Sequence, residues 1–269
     1  MTLETQYRTL DFPQAIEFLL GKLNIPTDSY RDIQNEEHDW AFMVAGATKA
    51  QLLNDLKAEV LKAISGEATG GAMTRREFAR NFQAIAQRNG WDYRGNRDWR
   101  ANTIYGTNLR SAYAAGRYEQ QTDPATLQAR PYWQWQHNDS PQARPLHKYH
   151  LDGKVFRADD PFWQEMYPPD GYGCRCSVRS LNQRELERAG LVVETAPKLG
   201  TLVEVDLPDR RKTSERVRAD EGFGHAPGKS RQEQRRQVLD NIMERLPETL
   251  KQQLANDIAR EERSPQPPL

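Results

Sequence analysis

Pro131-Tyr-Trp-Gln-Trp135 opens the stretch that decides the fold of this chain, and Tyr167-Pro-Pro-Asp-Gly-Tyr-Gly-Cys174-Arg-Cys176 closes it. Nine aromatic residues fall between positions 131 and 178, among Gly and Pro turns, and both cysteines of the chain stand at its end. Rings next to turn residues favour short strands and irregular loops over a long helix. We therefore expect a compact β module whose core consists largely of aromatic rings.

The sequence before and after this module has helical character. Apolar residues recur every three to four positions up to about residue 121, and capping boxes at Thr74–Glu77 and Asn182–Glu185 mark helix starts. Small residues at Ala112, Ala115 and Gly116 predict that another backbone approaches that helix closely. The predicted fold class is therefore α+β, with an N-terminal helical part, the small loop-rich β module with its aromatic core, and C-terminal helices.

Changes in composition divide the chain into six parts. The predicted parts are a helical region (1–67), a core of helices followed by the β module (68–181), a short α/β extension (182–205), a linker (206–231), amphipathic helices (232–263) and a disordered tail (264–269). Strands are expected near 132–136, 155–156, 176–178, 191–193 and 202–205. The narrow apolar stripe of 232–263 needs a covering surface, which is either the body of this chain or another chain.

The composition limits the class of protein. The chain has 269 residues, a mean hydropathy of −0.90 and equal numbers of basic and acidic residues, 38 of each. Such polarity suits thin helical layers, or a protein that completes its burial against partners. No run approaches the roughly 20 apolar residues that a membrane span needs, and the first residues, with Glu4 and Asp11, do not predict a secretory signal. We expect no membrane partner and synthesis in the cytoplasm.

Charge is unevenly distributed along the chain. Residues 1–67 hold 6 Lys/Arg against 11 Asp/Glu, a net of −5, whereas 75–118 hold 9 Arg against 3 acids, a net of +6. Arginines between aromatic rings can bind nucleic acid, and the candidate residues are Trp91, Arg94, Arg97, Trp99 and Arg100. The alternative is that these arginines form a solvated helix face or pair with the acidic N-terminal part.

The Cys-x-Cys pair is the candidate metal site. In an extended segment the side chains of Cys174 and Cys176 point the same way, which suits two legs of a metal centre. Zinc prefers four tetrahedral N or S ligands, and His147 with His150 are the candidates for the other two. No cofactor is certain from this pattern; the alternative is that the cysteines are small buried residues and the histidines donate hydrogen bonds to loop carbonyls.

An enzymatic role has weaker support. A metal-dependent nuclease would use clustered acids and histidines, and the candidates here are Asp139, His147, His150, Asp152, Asp159 and Asp160. Asp152-Gly153 and Asp159-Asp160-Pro161 are also turn or helix-start signals, so local backbone roles explain these acids more simply. The chain has no Walker loop, nucleophile elbow or His-Glu-x-x-His pattern, and we predict that it is not an enzyme.

The order of these motifs resembles the phage Mu F-like family of minor head proteins, also called phage head morphogenesis proteins. The resemblance covers roughly residues 11–181. It is carried by Arg-Pro-x-His ending at His147, Asp-Gly-Lys-Val-Phe at 152–156, Asp-Asp-Pro-Phe-Trp at 159–163, Tyr-Pro-Pro-x-Gly at 167–171 and the final Cys-Arg-Cys. Upstream, Gly90-Trp91, Thr107-Asn108 and the 112–117 segment extend it.

The resemblance implies a structural role. Such a protein is expected to be a minor component of the virion that acts in head assembly, at the portal vertex or in the head interior. The partners it implies are phage portal and capsid or scaffold proteins, and packaged double-stranded DNA is a further candidate. Two alternatives remain open from the sequence: a DNA-binding protein that accompanies genome packaging or ejection, and a metal-dependent nuclease.

Overall fold

The computed structural model describes residues 12–65, 73–140, 143–230 and 242–261. The α-helices are α1 (Pro13–Leu20), α2 (Ala50–Ser65), α3 (Arg75–Arg88), α4 (Arg97–Thr122), α5 (Pro124–Ala129), α6 (Phe162–Met166), α7 (Gln183–Ala189) and α8 (Glu248–Glu261). The strands are β1 (Leu23–Asn24), β2 (Ala41–Phe42), β3 (Tyr132–Gln136), β4 (Val155–Arg157), β5 (Ser177–Leu181), β6 (Leu202–Asp206) and β7 (Lys212–Arg216). The α+β class is confirmed.

Helices α1–α4 share one hydrophobic core and make up the helical region. Helix α3 begins as its capping box predicts: Thr74 Oγ1 accepts from Glu77 N at 3.2 Å, and Glu77 Oε2 accepts from Thr74 N at 2.7 Å. Helix α1 crosses α4 closely, because a Cβ at Gly116 would lie 3.0 Å from the Ala15 nitrogen. The close backbone approach predicted at this small-residue patch is therefore present.

A two-residue parallel pair and a 3-10 helix (Asn35–Asp39) interrupt the helical character of the N-terminal part. Strand β1 pairs with β2 in the register Leu23↔Ala41. Such short strands carry no alternating pattern in the sequence, which explains why only helix was predicted here.

The predicted β module is built on a three-stranded antiparallel sheet in the order β4-β3-β5. Trp133 and Trp135 point to the same face of the central strand and are 1 % and 0 % exposed. Their rings pack with Phe162 and Trp163, at centroid separations of 5.5 Å for Trp133–Trp163 and 6.2 Å for Trp135–Phe162. The aromatic core is present, and β5 starts at Ser177, one residue later than predicted.

The segment 206–231 was predicted to be a linker, but its described part, 206–230, belongs to the folded body. Strand β7 pairs with β6 as an antiparallel hairpin. The following Gly-Pro loop docks on the N-terminal part, where Gly228 N donates to Asp39 Oδ1 at 2.8 Å and Trp40 Nε1 donates to Ser230 Oγ at 3.0 Å. Glycines and prolines here serve a tight, docked loop. The other predicted divisions stay predictions.

The C-terminal apolar stripe is covered by this chain's own N-terminal part. Ile242, Leu246, Leu250 and Leu254 are buried in one cluster, whose other buried members are Leu23, Ile25, Ile33, Trp40 and Ala41. The sequence left this choice open, and the structure decides it for these four residues. The beginning of the predicted helical segment and the predicted tail at 264–269 lie outside the described residues. Within the described ranges, no helix is both long and apolar enough to cross a bilayer.

Candidate metal centre

Three donor side chains meet at one end of the β module. Their ligand atoms, from His147, Cys174 and Cys176, all lie within 4.8 Å of one another. His147 Nδ1 is 3.9 Å from Cys174 Sγ and 3.7 Å from Cys176 Sγ. Among the described residues this is the one such group of three or more His, Cys, Asp or Glu donors. The structure thus brings together three of the four residues proposed as zinc ligands.

Local backbone geometry places each donor. His147 lies on a π-helix (Leu146–Leu151) and is 2 % exposed. Cys174 follows a turn in which its N–H donates to Gly171 O at 3.1 Å, and Gly173 in that turn has a φ of +74°. Cys176 stands immediately before β5. A positive φ favours glycine, so the sequence Gly-Cys-Arg-Cys turns both thiols towards His147.

The π-helix keeps His150 out of this group. In an α-helix, residues three apart share a face, and His147 and His150 would point the same way. The π-helix closes i→i+5 hydrogen bonds, which changes that angular relation. His150 lies instead near Lys154 and Glu194, where burial and the Lys154 charge lower the pKa of its imidazole.

His137, which the sequence reasoning missed, is the second imidazole near the thiols. Its Nδ1 is 3.5 Å from Cys176 Sγ, and its buried Nε2 has no hydrogen-bond partner in the described part of the chain. The β3–β5 register explains the contact, because Gln136 pairs with Ser177 and the next step of the ladder sets His137 opposite Cys176. Pairing the predicted strands near 132–136 and 176–178 in this antiparallel register would have placed His137 beside Cys176.

Asp170 is the second residue that sequence reasoning missed. Its carboxylate is 0 % exposed, its Oδ2 lies 3.5 Å from His147 Nε2, and neither oxygen has a hydrogen-bond partner among the residues that the structure describes. Burial, followed by the neighbouring Cys174 charge, raises the pKa of this carboxyl well above its usual range. Its place within Tyr-Pro-Pro-Asp-Gly suggested a turn residue, so no sequence pattern separated it from the exposed acids.

The two thiols differ in acidity. The pKa of Cys174 is lowered because Cys176 and His147 hydrogen-bond to its thiolate. The pKa of Cys176 is raised by its hydrogen bond to Cys174 and by burial. One thiolate therefore forms readily, and the second forms only against the charge of the first.

The chemistry of this set is that of a soft divalent cation. Tetrahedral zinc, with bonds of about 2.3 Å to sulfur and about 2.0 Å to nitrogen, holds S and N donors about 3.5 Å apart. The observed N–S separations of 3.5–3.9 Å are close to that value. Two thiolates with imidazoles favour Zn²⁺ over Mg²⁺ or Ca²⁺, which prefer oxygen ligands.

Comparison with known proteins agrees with the motif order. Residues 54–179, which reach from α2 into β5, match the family model described as Phage Mu protein F like protein. Residues 54–179 form a phage Mu F-like region. The resemblance inferred from the sequence is thereby confirmed, and the region contains His137, His147, Asp170 and both cysteines.

Two curated relatives extend the match beyond the Mu F-like region. The chain is 35 % identical over 217 residues to protein F of Escherichia phage Mu, named as a candidate capsid assembly protein, covering 75 % of this chain and 47 % of that protein. It is 32 % identical over 206 residues to the Mu-like prophage FluMu F protein of Haemophilus influenzae, covering 73 % and 48 %. The chain spans about half the length of these relatives. No solved structure gives a significant match.

The acids that a nuclease would need have local roles in the Mu F-like region. Asp152 Oδ1 accepts from His137 N at 2.7 Å, and Asp160 Oδ1 accepts from Phe162 N at 2.9 Å. Asp159 pairs with Arg157 at 2.7 Å, which lowers the pKa of its carboxyl. Asp139 is fully exposed. None of these four belongs to the donor group around His147.

The predicted nucleic-acid residues divide into two groups. Arg100 donates to Ala45 O at 3.0 Å and lies over the Trp91 ring, whose Nε1 donates to Gly46 O at 2.9 Å, so this pair holds the fold together. Arg94 and Arg97 are exposed, as is Trp99 at 62 %. Arg97 pairs with the adjacent Asp98 at 2.6 Å.

Elsewhere in the basic segment, Arg88 pairs with Asp55 of the acidic N-terminal part at 2.7 Å. Part of the charge asymmetry is therefore balanced within the protein, as the alternative interpretation of these arginines expected.

Proposed function

We propose that this protein is a structural component of a phage head that acts during head assembly. The Mu F-like region carries the proposal, together with relatives that align over about three quarters of this chain, one of which is named for capsid assembly. The geometry supports a structural role, since two of the three donors are buried and Asp152 and Asp160 accept hydrogen bonds from the backbone. We propose no catalytic role.

The second part of the proposal concerns the location of the protein in the phage head and its binding partners. We expect a minor virion protein at the portal vertex or in the head interior, made in the host cytoplasm and joined to portal and capsid or scaffold proteins during assembly. The polar composition supports partner binding, because a chain with a mean hydropathy of −0.90 suits a protein that completes its burial against other proteins.

Gradient-purified heads from the phage that encodes this chain provide the test. Mass spectrometry should find the chain in heads and assembly intermediates at low copy relative to the major capsid protein. Heads assembled without portal protein separate the two places, because loss of the chain favours the portal vertex and retention favours the interior. A chain that is missing from all particles, with head yield unchanged after its deletion, contradicts the proposal.

A second candidate function is contact with packaged DNA. It is favoured by the exposed Trp99 ring with Arg94 and Arg97 beside it, none of which the fold buries. Exposed arginines can neutralise phosphates, and a ring can stack on an unpaired base.

A matched pair of double variants tests the DNA contact. Arg94→Glu with Arg97→Glu should abolish a gel shift, whereas Arg184→Glu with Arg188→Glu, an equal charge change on the exposed face of α7, should leave most of it. Wild-type affinity should fall steeply as salt rises, because phosphate binding releases counterions. Equal loss in both variants, or no shift at low salt, removes this candidate.

The nuclease alternative has its own measurement. Supercoiled plasmid incubated with the protein and Mg²⁺ or Mn²⁺ should remain uncut under the structural proposal. Nicking that needs the divalent ion and is lost in Asp159→Ala would instead establish the enzyme.

A further inference from the structure

We propose that His147, Cys174 and Cys176 bind one structural zinc ion, with His137 as the fourth ligand and Asp170 as the residue that orients the His147 ring. This inference goes beyond head assembly and does not depend on it. The zinc would join the π-helix and the 170–176 loop to the paired ends of β3 and β5.

The first support is convergence of three buried or half-buried donors from distant parts of the chain. Cys174 is 3 % exposed and His147 is 2 % exposed, and Cys176 is half-buried beside them. Their N–S separations of 3.7 and 3.9 Å need a contraction of only a few tenths of an ångström to reach tetrahedral zinc geometry. Neither cysteine is in a disulfide, so both sulfurs are available as ligands.

The second support is Asp170, which is independent of the cysteines. A buried carboxylate with no hydrogen bond is costly, and native proteins rarely leave one unexplained. Asp170 Oδ2 faces His147 Nε2 at 3.5 Å, while His147 Nδ1 faces both sulfurs. Metal-bound histidines commonly donate their second N–H to a carboxylate in this way, which leaves the other nitrogen unprotonated and directed at the metal.

His137 is assigned as the fourth ligand because of its position. Its Nδ1 is 3.5 Å from Cys176 Sγ, yet it lies outside the three-residue group. It stands one residue beyond β3, so a small shift of the strand end or a rotation of the ring brings Nδ1 to the remaining position. Four protein ligands close the coordination sphere and leave no position for water or substrate, which makes the site structural.

The direct test uses the full chain, purified without added metal and then dialysed. Elemental analysis should find about one zinc per chain, as a closed site predicts. Replacement by Co²⁺ should give intense tetrahedral d–d bands and thiolate charge-transfer absorption. A strong chelator should make both cysteines react with a thiol reagent and should lower the melting temperature. A wild-type chain that neither contains nor takes up zinc or Co²⁺ overturns the proposal.

Single variants assign the ligands. Cys174→Ser, Cys176→Ser and His147→Ala should each reduce bound zinc to trace levels, and His137→Ala should weaken it clearly. His150→Ala is the matched control, because His150 lies on the same π-helix but outside the donor group. It should keep full zinc content. If His150→Ala loses zinc and His137→Ala does not, the assignment of the fourth ligand is refuted.

Asp170→Asn tests the positioning role. It should weaken zinc affinity about 10- to 100-fold while leaving the tetrahedral Co²⁺ spectrum in place. Asp220→Asn is its control, since Asp220 pairs with Arg144 beside the same loop and does not face His147. Unchanged affinity in Asp170→Asn, or equal loss in Asp220→Asn, refutes the role of Asp170. Should a variant fail to fold, the wild-type zinc content and Co²⁺ spectrum still decide the main proposal.

Discussion

The helical region and the β module are stabilised in different ways. Helices α1–α4 bury apolar faces that repeat along the chain, and a capping box fixes the start of α3. The β module has short strands, a core of rings packed at steep angles, and a cluster of polar donors at one end. A periodic core depends on many similar contacts, whereas the module depends on a few contacts between distant segments. A single substitution in the module should therefore change a particular property, such as zinc affinity, whereas one in the helical region should change only stability.

Trp135→Ala should give the largest effect and should separate the two regions. The ring is 0 % exposed, packs on Phe162 and Trp163, and meets the His147 ring at 5.2 Å. Removing it should lower the free energy of unfolding by about 3–5 kcal/mol, as for other large core truncations. It should also reduce zinc affinity, because His147 loses its packing support. Urea unfolding and zinc titration of the folded protein measure these two effects.

Phe82→Ala is the control for that prediction. Phe82 is 0 % exposed in the helical core, where it packs on Trp91 and Tyr93. Its loss of stability should be similar, but the folded fraction should bind zinc as tightly as wild type. Equal weakening of zinc binding by both variants would show that the two regions are energetically coupled. It would contradict the view that they are stabilised in different ways.

Leu254→Ala should have the next largest effect, about 3 kcal/mol. Leu254 is 0 % exposed in the cluster with Leu23 and Trp40, so truncation leaves a cavity inside this chain. Asn256→Ala, on the exposed side of α8, should change the free energy of unfolding by less than about 0.5 kcal/mol. If Leu254→Ala left the free energy of unfolding unchanged, the packing of the stripe against this chain's own N-terminal part would be contradicted.

The sequence predicted most of the helical region and the strands of the module. Periodicity and capping boxes found α2, α3 and α7, and the alternation of Trp133 and Trp135 found β3. The linker prediction for 206–231 failed because composition alone does not show that Gly228 N and Ser230 reach Asp39 across the chain. A glycine-rich loop that packs on the protein and a glycine-rich linker that does not pack have the same local sequence pattern.

The candidate site was predicted in part, for the same physical reason. Cys174, Cys176 and His147 were found because their types and spacing are unusual. Predicting His137 requires the pairing register of β3 with β5, and predicting Asp170 requires knowledge of its burial. Neither property can be read from a local sequence pattern. His150 was proposed beside His147, but the π-helix places it near Lys154 and Glu194 instead.

Acidification should weaken the contact between the N-terminal part and the docked 220–230 loop. Burial, then the charges of His225 and Lys22, lower the pKa of His38 from 6.5 to about 3, while Asp39 acts in the opposite direction. Between pH 6.5 and 3 the unfolded chain therefore binds a proton that the folded chain does not. Stability is lost as the pH falls through this window, by about 1 kcal/mol at pH 5.5.

Urea midpoints at pH 7.5 and 5.5 measure the loss, and His38→Gln isolates the contribution of this imidazole. The Gln variant should lose about 1 kcal/mol less than wild type between the two pH values, since it has no group that titrates there. An identical pH dependence in both proteins would assign the loss to other residues.

The smallest effects should come from two helix caps, one in each part of the chain. Thr74→Ala removes the cap of α3, and Asn182→Ala removes the cap of α7, where Asn182 Oδ1 accepts from Glu185 N at 2.9 Å. Each should cost about 1 kcal/mol, while Thr74→Ser should keep most of the stability because it retains the hydroxyl acceptor. Hydrogen exchange then shows whether the helical region and the module unfold together or separately. If the helical region and the module unfold together, either variant speeds exchange throughout both cores. If they unfold separately, Thr74→Ala speeds exchange in α2–α4 and leaves exchange in β3–β5 unchanged. The two regions would then differ in their unfolding as well as in the contacts that stabilise them.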